Sequence, residues 1–501
     1  MYENKMPHLA ELNGRKALIV DGKPFISLGL QWDCDGCYTP EEMDPFFAHG
    51  QKMGLNTASL LLYWREVEPV EGEYHLDMLT HRIEMARKHD MKIVLVWFAS
   101  YKNGSLAYAP DYIRSDHNRF AKVVNKDGVI QTNCCCPRAE GTHKRDELAL
   151  EAVFNHIKKI DGQEHTVVLF QIENEAGIFG TDRCYCQRCN EYYAQEDYVT
   201  KYGVRANETF TAKCIAEYCD SLTKTIKDIY DIPVYMNVWL DSCNKNLVPG
   251  VNYPSGSPIP AMLDICYETI KHIDFISPDI YDSSKRDFNY LCEAYSAHGR
   301  PLFIPETATG KGMRTEKNVF YAIADHSAIG YVPWAINRCC PPFMSQPLVN
   351  TIDGRWSDEA YELHKSYRMI RDAMIPIALA QNTPNLKSFV QEECEYGIKL
   401  PFGDVDVEVL YDHPENAARG LVIRRSEDEF IILGAGVFVC FSRAGGERVS
   451  MAEVESGAFE DNQWVARHAI ARQQDAAQPI QLRDCRVMRV KLGKRLDYIE
   501  Q

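Results

Sequence analysis

Two glutamates that end apolar segments are the residues of this sequence best placed to do chemistry. Glu175 follows the segment TVVLFQIEN at residues 166–174, and Glu306 follows PLFIP at residues 301–305. A charged group beside a buried segment is costly unless it is paired or has a function. Two carboxyl groups over one pocket can hydrolyse a glycosidic bond with retention of configuration when they lie about 5 to 5.5 Å apart. A carboxylate that only caps a helix or pairs with an arginine is the alternative interpretation.

Several polar and aromatic residues lie near the ends of the same apolar segments and are candidates for binding a sugar. Asn174 immediately precedes Glu175, where its amide suits a hydrogen bond to the sugar hydroxyl beside the reacting carbon. The remaining candidates, each of which simple packing also explains, are Gln31, Trp97, Asn103, Asn237 and Trp239.

Two neighbouring residues are weaker candidates. Glu173 is the rival of Glu175, and the pleat of a continuing strand sends it to the same side, one step deeper. Lys102 is most simply explained as a solvated surface lysine.

The elements that position these residues alternate between strand and helix. Eight short apolar segments, the first near residue 24 and the last near residue 328, are each followed by a helix-like or irregular segment. Eight such units predict a (β/α)₈ TIM barrel, in which functional side chains gather at the carboxyl ends of the strands. A long insertion is expected at about residues 99–144, and long loops inside compact domains are usually functional.

We expect the barrel to occupy residues 1–380 and a second domain to occupy residues 385–501. Beyond residue 375 the sequence changes to short apolar or alternating segments, such as EFIILGAGVFVCF at residues 429–441, with glycine turns between them. That pattern is typical of an antiparallel β-sandwich.

The charge of the chain argues against two classes of partner. The net charge is −16, from 71 acidic and 55 basic residues, whereas nucleic acids and anionic membranes are bound through basic patches. An uncharged substrate fits better. The sequence contains no apolar segment of about 18 residues and no apolar signal core near its start, so we expect a cytoplasmic protein.

The motifs resemble the clan of retaining glycoside hydrolases with an Asn-Glu acid/base on strand four and a Glu nucleophile on strand seven. Within that clan the sequence is most similar to the β-galactosidases of glycoside hydrolase families 35 and 42. The matching segments are QIENEAG at 171–177, with Ala176 where Tyr is common, LNTASLLLYWREVEPVEGEY at 55–74, VYMNVWL at 234–240 and FIPET at 303–307. The likeness extends over most of residues 15–375, and the C-terminal domain resembles a small β domain of some bacterial family 35 relatives.

The resemblance implies a role for each glutamate. Glu175 is expected to act as general acid and then base, protonated at rest, and Glu306 as the ionised nucleophile. Tyr281, after strand six, is the candidate donor of a hydrogen bond to Glu306, and Trp334 on strand eight is the candidate apolar platform for the sugar. Both are also explained as core aromatic residues.

The function implied is that of an exo-acting β-galactosidase whose partner is an oligosaccharide or small β-galactoside. A clan member with another specificity, for a β-glucoside, β-mannoside or α-L-arabinoside, is the alternative within the enzyme class. A non-catalytic carbohydrate-binding protein on a barrel scaffold is the alternative from a different class, and it predicts the loss of one carboxylate.

A cysteine cluster follows the acid/base strand. Cys184, Cys186 and Cys189 form a C-x-C-x₂-C segment, and three thiolates can hold a tetrahedral Zn²⁺ if a fourth ligand comes from elsewhere. The triple cysteine at residues 134–136 offers that ligand, and free thiols are the alternative, because 18 cysteines without a secretion signal are not expected to form disulfides.

The cluster is similar to one in many family 42 enzymes, where a CYCxxC segment joins an upstream cysteine that precedes a proline. That resemblance implies Cys136 as the fourth ligand, since it precedes Pro137, with Cys134 as the alternate. The expected Zn²⁺ is structural, because four thiolates leave no position for a substrate. Relatives with this cluster are often trimeric, so we expect a homo-oligomer.

Overall fold

The computed structural model describes residues 5–32, 39–240, 247–310, 312–336, 348–350, 354–413, 418–443, 449–471 and 479–493. Eight parallel strands form a barrel near the start of the chain. In chain order these first to eighth barrel strands are Ser27–Trp32, Thr57–Tyr63, Lys92–Phe98, Val167–Gln171, Val234–Trp239, Phe275–Asp279, Phe303–Ile304 and Gly330–Tyr331.

Each barrel strand pairs with its neighbours in chain order, and the eighth strand pairs with the first. The sixth and seventh strands are joined by a parallel bridge between Ile280 and Thr307, which closes the ring. The predicted (β/α)₈ fold is therefore confirmed.

Helices follow the barrel strands and cover their outer faces. The longer helices are Pro40–Met53, Asp77–Lys88, Glu140–Asp161, Ala206–Ile229, Lys285–Ser296 and Asp358–Asp372, and the shorter ones are Trp64–Val67, Asp111–Ser115, Gln187–Tyr193, Tyr198–Tyr202, Leu263–Thr269, Thr315–Phe320 and Met374–Ala380. The helix Pro40–Met53 is fixed at its start by Thr39 and Glu42, which cap each other reciprocally.

Alternate residues of each barrel strand face opposite directions. In the third strand, Val96 and Phe98 belong to the cluster that fills the barrel interior, whereas Leu95 and Trp97 belong to the core between the strands and the helices. Both faces are buried, which explains why the strands read as nearly continuous apolar segments.

Two smaller sheets flank the barrel. The strands His8–Leu12, Arg15–Val20 and Lys23–Pro24 form an antiparallel sheet before the first barrel strand, and the sequence analysis missed it. Its Leu18 packs with the barrel interior cluster. The insertion after the third strand contains an antiparallel pair, Lys122–Val124 and Ile130–Cys135.

The C-terminal part is built from two antiparallel sheets around a core of their own, as predicted for a β-sandwich. The six-stranded sheet contains Leu386–Val390, Arg419–Arg424, Glu429–Ala435, Met451–Glu460, Gln463–Ala471 and Arg486–Leu492, and the four-stranded sheet contains Gly397–Phe402, Val405–Tyr411, Val437–Arg443 and Ile480–Leu482. We propose a domain boundary between residues 380 and 385, because the last helix ends at Ala380 and the first sandwich strand begins at Leu386.

Within the described residues, the structure contains no helix with the length and apolar character that crossing a membrane requires.

Candidate active site

Three carboxyl groups meet at the carboxyl ends of the barrel strands. An oxygen from each of Glu175, Glu306 and Asp279 lies within 4.8 Å of the other two, and the three side chains are only 6%, 6% and 3% exposed. The short distance between Glu175 and Glu306 is close to the roughly 5 to 5.5 Å of retaining glycosidases and below the roughly 6.5 to 9.5 Å of inverting ones.

The backbone leaves the fourth barrel strand before it reaches Glu175. The strand ends at Gln171, and both Glu173 and Glu175 adopt left-handed conformations, with φ of 59° and 48°. The Glu175 amide donates to Asn237 Oδ1 at 2.7 Å, which holds this turn against the fifth strand. The expectation that the pleat continues through Glu173 is therefore wrong.

Glu173 lies in a separate buried network. Its carboxylate accepts hydrogen bonds from the amides of Ser100 and Tyr101, at 3.0 and 2.9 Å, and lies near the carboxyl of Asp146. Burial and the charge of Asp146 raise the pKa of Glu173 well above its usual range. Glu173 thus joins the end of the fourth strand to the start of the insertion.

Glu306 is surrounded by hydrogen-bond donors. The Tyr281 hydroxyl donates to Oε2 at 2.8 Å, and Gln31 Nε2 donates to Oε1 at 3.5 Å. The Asn174 amide also reaches Oε1 at 3.2 Å when its nitrogen faces Glu306, and its oxygen then accepts from Lys102 at 3.2 Å.

Burial and neighbouring charges set the ionisation of the two glutamates. Burial, followed by the charge of Glu306, raises the pKa of Glu175 to about 8. Burial also raises the pKa of Glu306, but Lys102, Tyr281 and Gln31 oppose this shift because they stabilise the carboxylate.

Lys102 is a positively charged neighbour of the two glutamates. Its ammonium group lies 4.5 Å from the centre of the Phe98 ring, and its charge lowers the pKa of both Glu175 and Glu306. The side chain is half-buried rather than solvated, so the expectation of an ordinary surface lysine is wrong.

Asp279 is the residue that sequence reasoning missed. It ends the sixth barrel strand, and a charged residue at the end of an apolar strand is the signal that had selected Glu175 and Glu306. Asn237 Nδ2 donates to Asp279 Oδ2 at 2.7 Å, so the Asn237 amide contacts both the Glu175 backbone and this carboxyl group.

Asn103, Trp334 and Trp239 are three further residues that the sequence predicts to bind the sugar. Asn103 lies at the site, where its amide N–H donates to the Asn174 carbonyl at 2.9 Å. Trp334 is half-buried and its backbone bridges to Gln31, while Trp239 is 36% exposed and contacts the Phe179 ring at 5.8 Å.

The structure does not bring Trp97 to the site. Its side chain is fully buried, and its indole N–H donates to Asp146 at 2.9 Å. The physical reason is the pleat of the third strand, which directs Phe98 inward and Trp97 toward the helices.

Four cysteines from the insertion and from the segment after Glu175 form a compact group. The Cys136 sulfur lies 3.7, 3.8 and 3.6 Å from those of Cys184, Cys186 and Cys189. A tetrahedral zinc site with Zn–S bonds of about 2.3 Å has sulfurs about 3.8 Å apart, so these residues fit such an ion. Cys134, the alternate fourth ligand, is buried outside the group.

Backbone amides support two of these sulfurs. The Val124 amide donates to Cys184 at 3.4 Å and the Cys189 amide donates to Cys186 at 3.5 Å, as suits thiolate ligands. Because Val124 and Cys136 belong to the insertion, the group joins the insertion to the segment after Glu175.

Two family models match parts of the sequence. Residues 38–210 match the model of glycoside hydrolase family 42, described as "Beta-galactosidase", and residues 363–471 match a "Domain of unknown function (DUF5597)". The first match contains Glu175 and ends before Glu306. No curated protein matches the sequence.

Solved structures of β-galactosidases share the fold. The enzyme from Bacillus circulans sp. alkalophilus aligns with a TM-score of 0.53 at 14% identity, over 70% of this chain and 56% of that one. The enzyme from Halorubrum lacusprofundi gives 0.50 at 16% identity, over 69% and 58%. A catalytic mutant of Gan42B, a GH42 β-galactosidase from G. stearothermophilus, gives 0.52 at 13% identity, over 71% and 57%.

This chain thus spans less than three fifths of the length of those enzymes. The resemblance to clan A glycoside hydrolases, and to family 42 within the clan, is confirmed.

Proposed function

We propose that this chain is a retaining glycoside hydrolase that removes terminal β-D-galactose by double displacement. The observation that carries the proposal is the approach of Glu175 and Glu306 within 4.8 Å in environments that favour opposite protonation states. The match of residues 38–210 to the family 42 β-galactosidase model supports galactose as the sugar.

The proposed first step uses Glu175 as the acid. Its raised pKa of about 8 keeps the carboxyl protonated at neutral pH, and the proton passes to the glycosidic oxygen as the bond to the anomeric carbon breaks. Glu306, kept ionised by the hydrogen bond from Tyr281 and the charge of Lys102, attacks the same carbon. The product of this step is a covalent glycosyl ester of Glu306.

The proposed second step uses Glu175 as the base. The Glu175 carboxylate accepts a proton from a water molecule as that water attacks the anomeric carbon and frees Glu306. Asn174 lies next to both groups, where it can hydrogen-bond the neighbouring sugar hydroxyl in both transition states.

A panel of aryl glycosides that differ only in the sugar tests this function. We expect the purified protein to hydrolyse the β-D-galactoside faster than the β-glucoside, β-mannoside or α-L-arabinoside, with galactose released in the β configuration. The Glu306→Ala variant is expected to lose at least 10⁴-fold in kcat/KM, because the nucleophile is absent. Wild-type rates in Glu306→Ala would remove Glu306 from the mechanism, and preference for another sugar would correct the specificity.

A non-catalytic carbohydrate-binding protein is the second candidate, and the presence of both carboxyl groups at a reactive distance disfavours it. Binding of galactosides by a protein that hydrolyses none of the panel would favour that alternative.

We also propose that Cys136, Cys184, Cys186 and Cys189 hold one structural Zn²⁺, which supplies cross-linking rather than catalysis because four thiolates complete its coordination. The sulfur–sulfur distances support this assignment. Elemental analysis is expected to find about one zinc per chain, and the Cys186→Ser variant is expected to lose zinc and thermal stability. Cys266→Ser, which changes a buried thiol elsewhere, is the control that should retain the metal.

The location and assembly of the protein remain proposals as well. The 13 cysteines of the described segments form no disulfide with one another, which supports a reducing compartment such as the cytoplasm. The expected homo-oligomer is tested by sedimentation of the purified chain.

A further inference from the structure

Asp279 has no role in the two steps above, yet it is buried against both glutamates that carry them. Its side chain is 3% exposed, and one of its oxygens lies within 4.8 Å of oxygens of Glu175 and Glu306. With Glu306 ionised, as the proposed mechanism requires, an ionised Asp279 at this spacing would repel it strongly in a water-poor site. A second proton, besides the acid proton of Glu175, is therefore expected in the group.

Hydrogen bonding identifies where that proton lies. Asp279 Oδ2 accepts from Asn237 at 2.7 Å, while Oδ1 is buried and has no donor among the described residues. The carboxyl groups of Asp279 and Glu175 approach each other, and two carboxyl groups can share a hydrogen bond only when one of them carries a proton.

We propose that Asp279 is a positioning residue for Glu175, which keeps its own proton throughout the reaction and donates it in a hydrogen bond to the Glu175 carboxylate. The inference rests on the proposed glycosidase function. Asp279 donates to Glu175 only while Glu175 is ionised. Glu175 is ionised between departure of the first product and attack by water.

The groups around Asp279 agree with a protonated carboxyl. The titratable side chains that face it are Glu175, Glu306, Lys102, Tyr281 and Tyr235. Burial, followed by the charges of Glu306 and Glu175, raises the pKa of Asp279 well above its usual range. Lys102 acts in the opposite direction, but Glu175 and Glu306 share the same cation.

Two substitutions of the same size distinguish this role from a structural one. In Asp279→Asn, the new amide can still accept from Asn237 and donate to Glu175. In Asp279→Leu, the donor to Glu175 is lost, so the ionised form of Glu175 is less stable and the pKa of Glu175 rises. Thermal unfolding of each variant shows whether the replacement is folded.

The measurement is the dependence of kcat/KM on pH for an aryl β-galactoside. We expect the alkaline limb of the Leu variant to move upward by on the order of one pH unit, the size expected when a carboxylate loses one donor. The alkaline limb of the Asn variant is expected to stay within a few tenths of the wild-type position.

The opposite result would have an equally clear meaning. If Asp279 is ionised in the resting protein, both variants remove a negative charge, and the alkaline limb of each variant moves to lower pH. An unchanged alkaline limb in both variants would show that Asp279 contributes only to packing. Either result overturns the proposal.

Failure of the glycosidase function is distinguishable from failure of this inference. If the wild-type protein hydrolyses no glycoside, the proposed function fails, and the ionisation of Glu175 is followed instead by ¹³C NMR of labelled glutamate carboxyls, with Glu175→Gln used to assign the signal. The same shifts are expected for the Leu and Asn variants in that titration, and their absence there contradicts the role of Asp279.

Discussion

Glu175 and Glu306 have the same side chain and nearly the same burial, so their neighbours must determine which one holds a proton. Glu306 receives hydrogen bonds from Tyr281 and Gln31, which stabilise its carboxylate. Lys102 and Asp279 lower the pKa of Glu175, but burial and the charge of Glu306 raise it by more. These environments favour a protonated Glu175 and an ionised Glu306, which are the states that the proposed acid and nucleophile require.

The first prediction concerns the pH dependence of activity. Because the pKa of Glu175 is about 8 and the protonated form is the active acid, kcat/KM is expected to be retained below pH 8 and to fall tenfold per pH unit above it. At low pH, activity is expected to fall as Glu306 gains a proton, at a pH above the usual range of glutamate because its pKa is raised. A profile without an alkaline limb up to pH 10 would contradict the acid role of Glu175.

The second prediction tests the acid role of Glu175 with substrates that differ in their leaving group. Glu175→Gln keeps the shape of the side chain but cannot donate a carboxyl proton. We expect a loss of kcat/KM of roughly 10²- to 10⁴-fold on an alkyl galactoside, and a much smaller loss on a dinitrophenyl galactoside, whose departure needs little protonation. Steady-state rates on the two substrates measure the difference, and equal losses would argue against general acid catalysis.

The sequence predicts which residues follow apolar strands, but it does not predict the direction in which each side chain points. Glu175 and Glu306 were found because charged residues follow apolar strands. Trp97 was assigned to the site and Lys102 to the surface because sequence does not show which strand residue faces inward, or where an irregular loop carries a charge. Glu173 was misplaced because the strand ends two residues earlier and left-handed backbone follows.

At the scale of elements, a buried network fixes the start of the insertion against the barrel. Asp146, on the helix Glu140–Asp161, accepts hydrogen bonds from Trp97, Ser100 and Tyr218, each at 2.9 Å. Glu173 binds the amides of residues 100 and 101. The two carboxyl groups thereby hold the segment that leads directly to Lys102.

The third prediction removes the centre of this network. Asp146→Leu leaves three buried donors without their acceptor, at a cost of roughly 1 to 3 kcal/mol for each donor that finds no other partner. We expect a lower free energy of unfolding in urea and, well below the melting temperature, at least a tenfold loss of kcat/KM, because misplaced catalytic neighbours lower the rate.

Asp111→Ala is the control for this prediction, since Asp111 belongs to the insertion that the network holds and its side chain is 92% exposed. It is expected to change stability by less than about 0.5 kcal/mol. Full activity of Asp146→Leu would show that the network does not position the segment.

Prediction of the elements succeeded for strands that are buried on both faces and failed for strands that are partly exposed. The barrel strands were recognised from their apolar segments. The N-terminal sheet was missed because His8–Leu12 is mostly half-exposed and its strands carry charged residues such as Glu11 and Lys16. The hairpin of the insertion, with exposed Ile130, gives the same weak signal.

At the scale of the whole molecule, one buried arginine joins the barrel to the β-sandwich. Arg419 begins a sandwich strand and is 2% exposed. It donates to Ser366 Oγ at 2.8 Å and to the backbone and carboxylate of Glu362 at 2.9 and 2.8 Å. Both partners belong to the helix Asp358–Asp372. No sequence pattern pairs these distant residues, because the contact depends on how two domains pack.

The fourth prediction follows from this contact. Arg419→Met keeps much of the side-chain volume but removes the donors, and we expect a loss of about 1 to 3 kcal/mol in the free energy of unfolding. The loss is smaller than for a fully buried ion pair, because Glu362 is 37% exposed and also pairs with Lys365. Urea unfolding followed by tryptophan fluorescence measures this change.

The same variant tests whether the two domains unfold together. If Arg419 couples them, calorimetry of Arg419→Met is expected to show separated transitions where the wild-type protein shows closer ones. Arg424→Met is the matched control, because Arg424 lies on the same strand but pairs with Asp404 inside the sandwich at 2.8 Å, so its loss should weaken the sandwich without changing the coupling. Equal separation in both variants would show that the sandwich alone was weakened, and that the contact of Arg419 with the barrel helix does not link the domains.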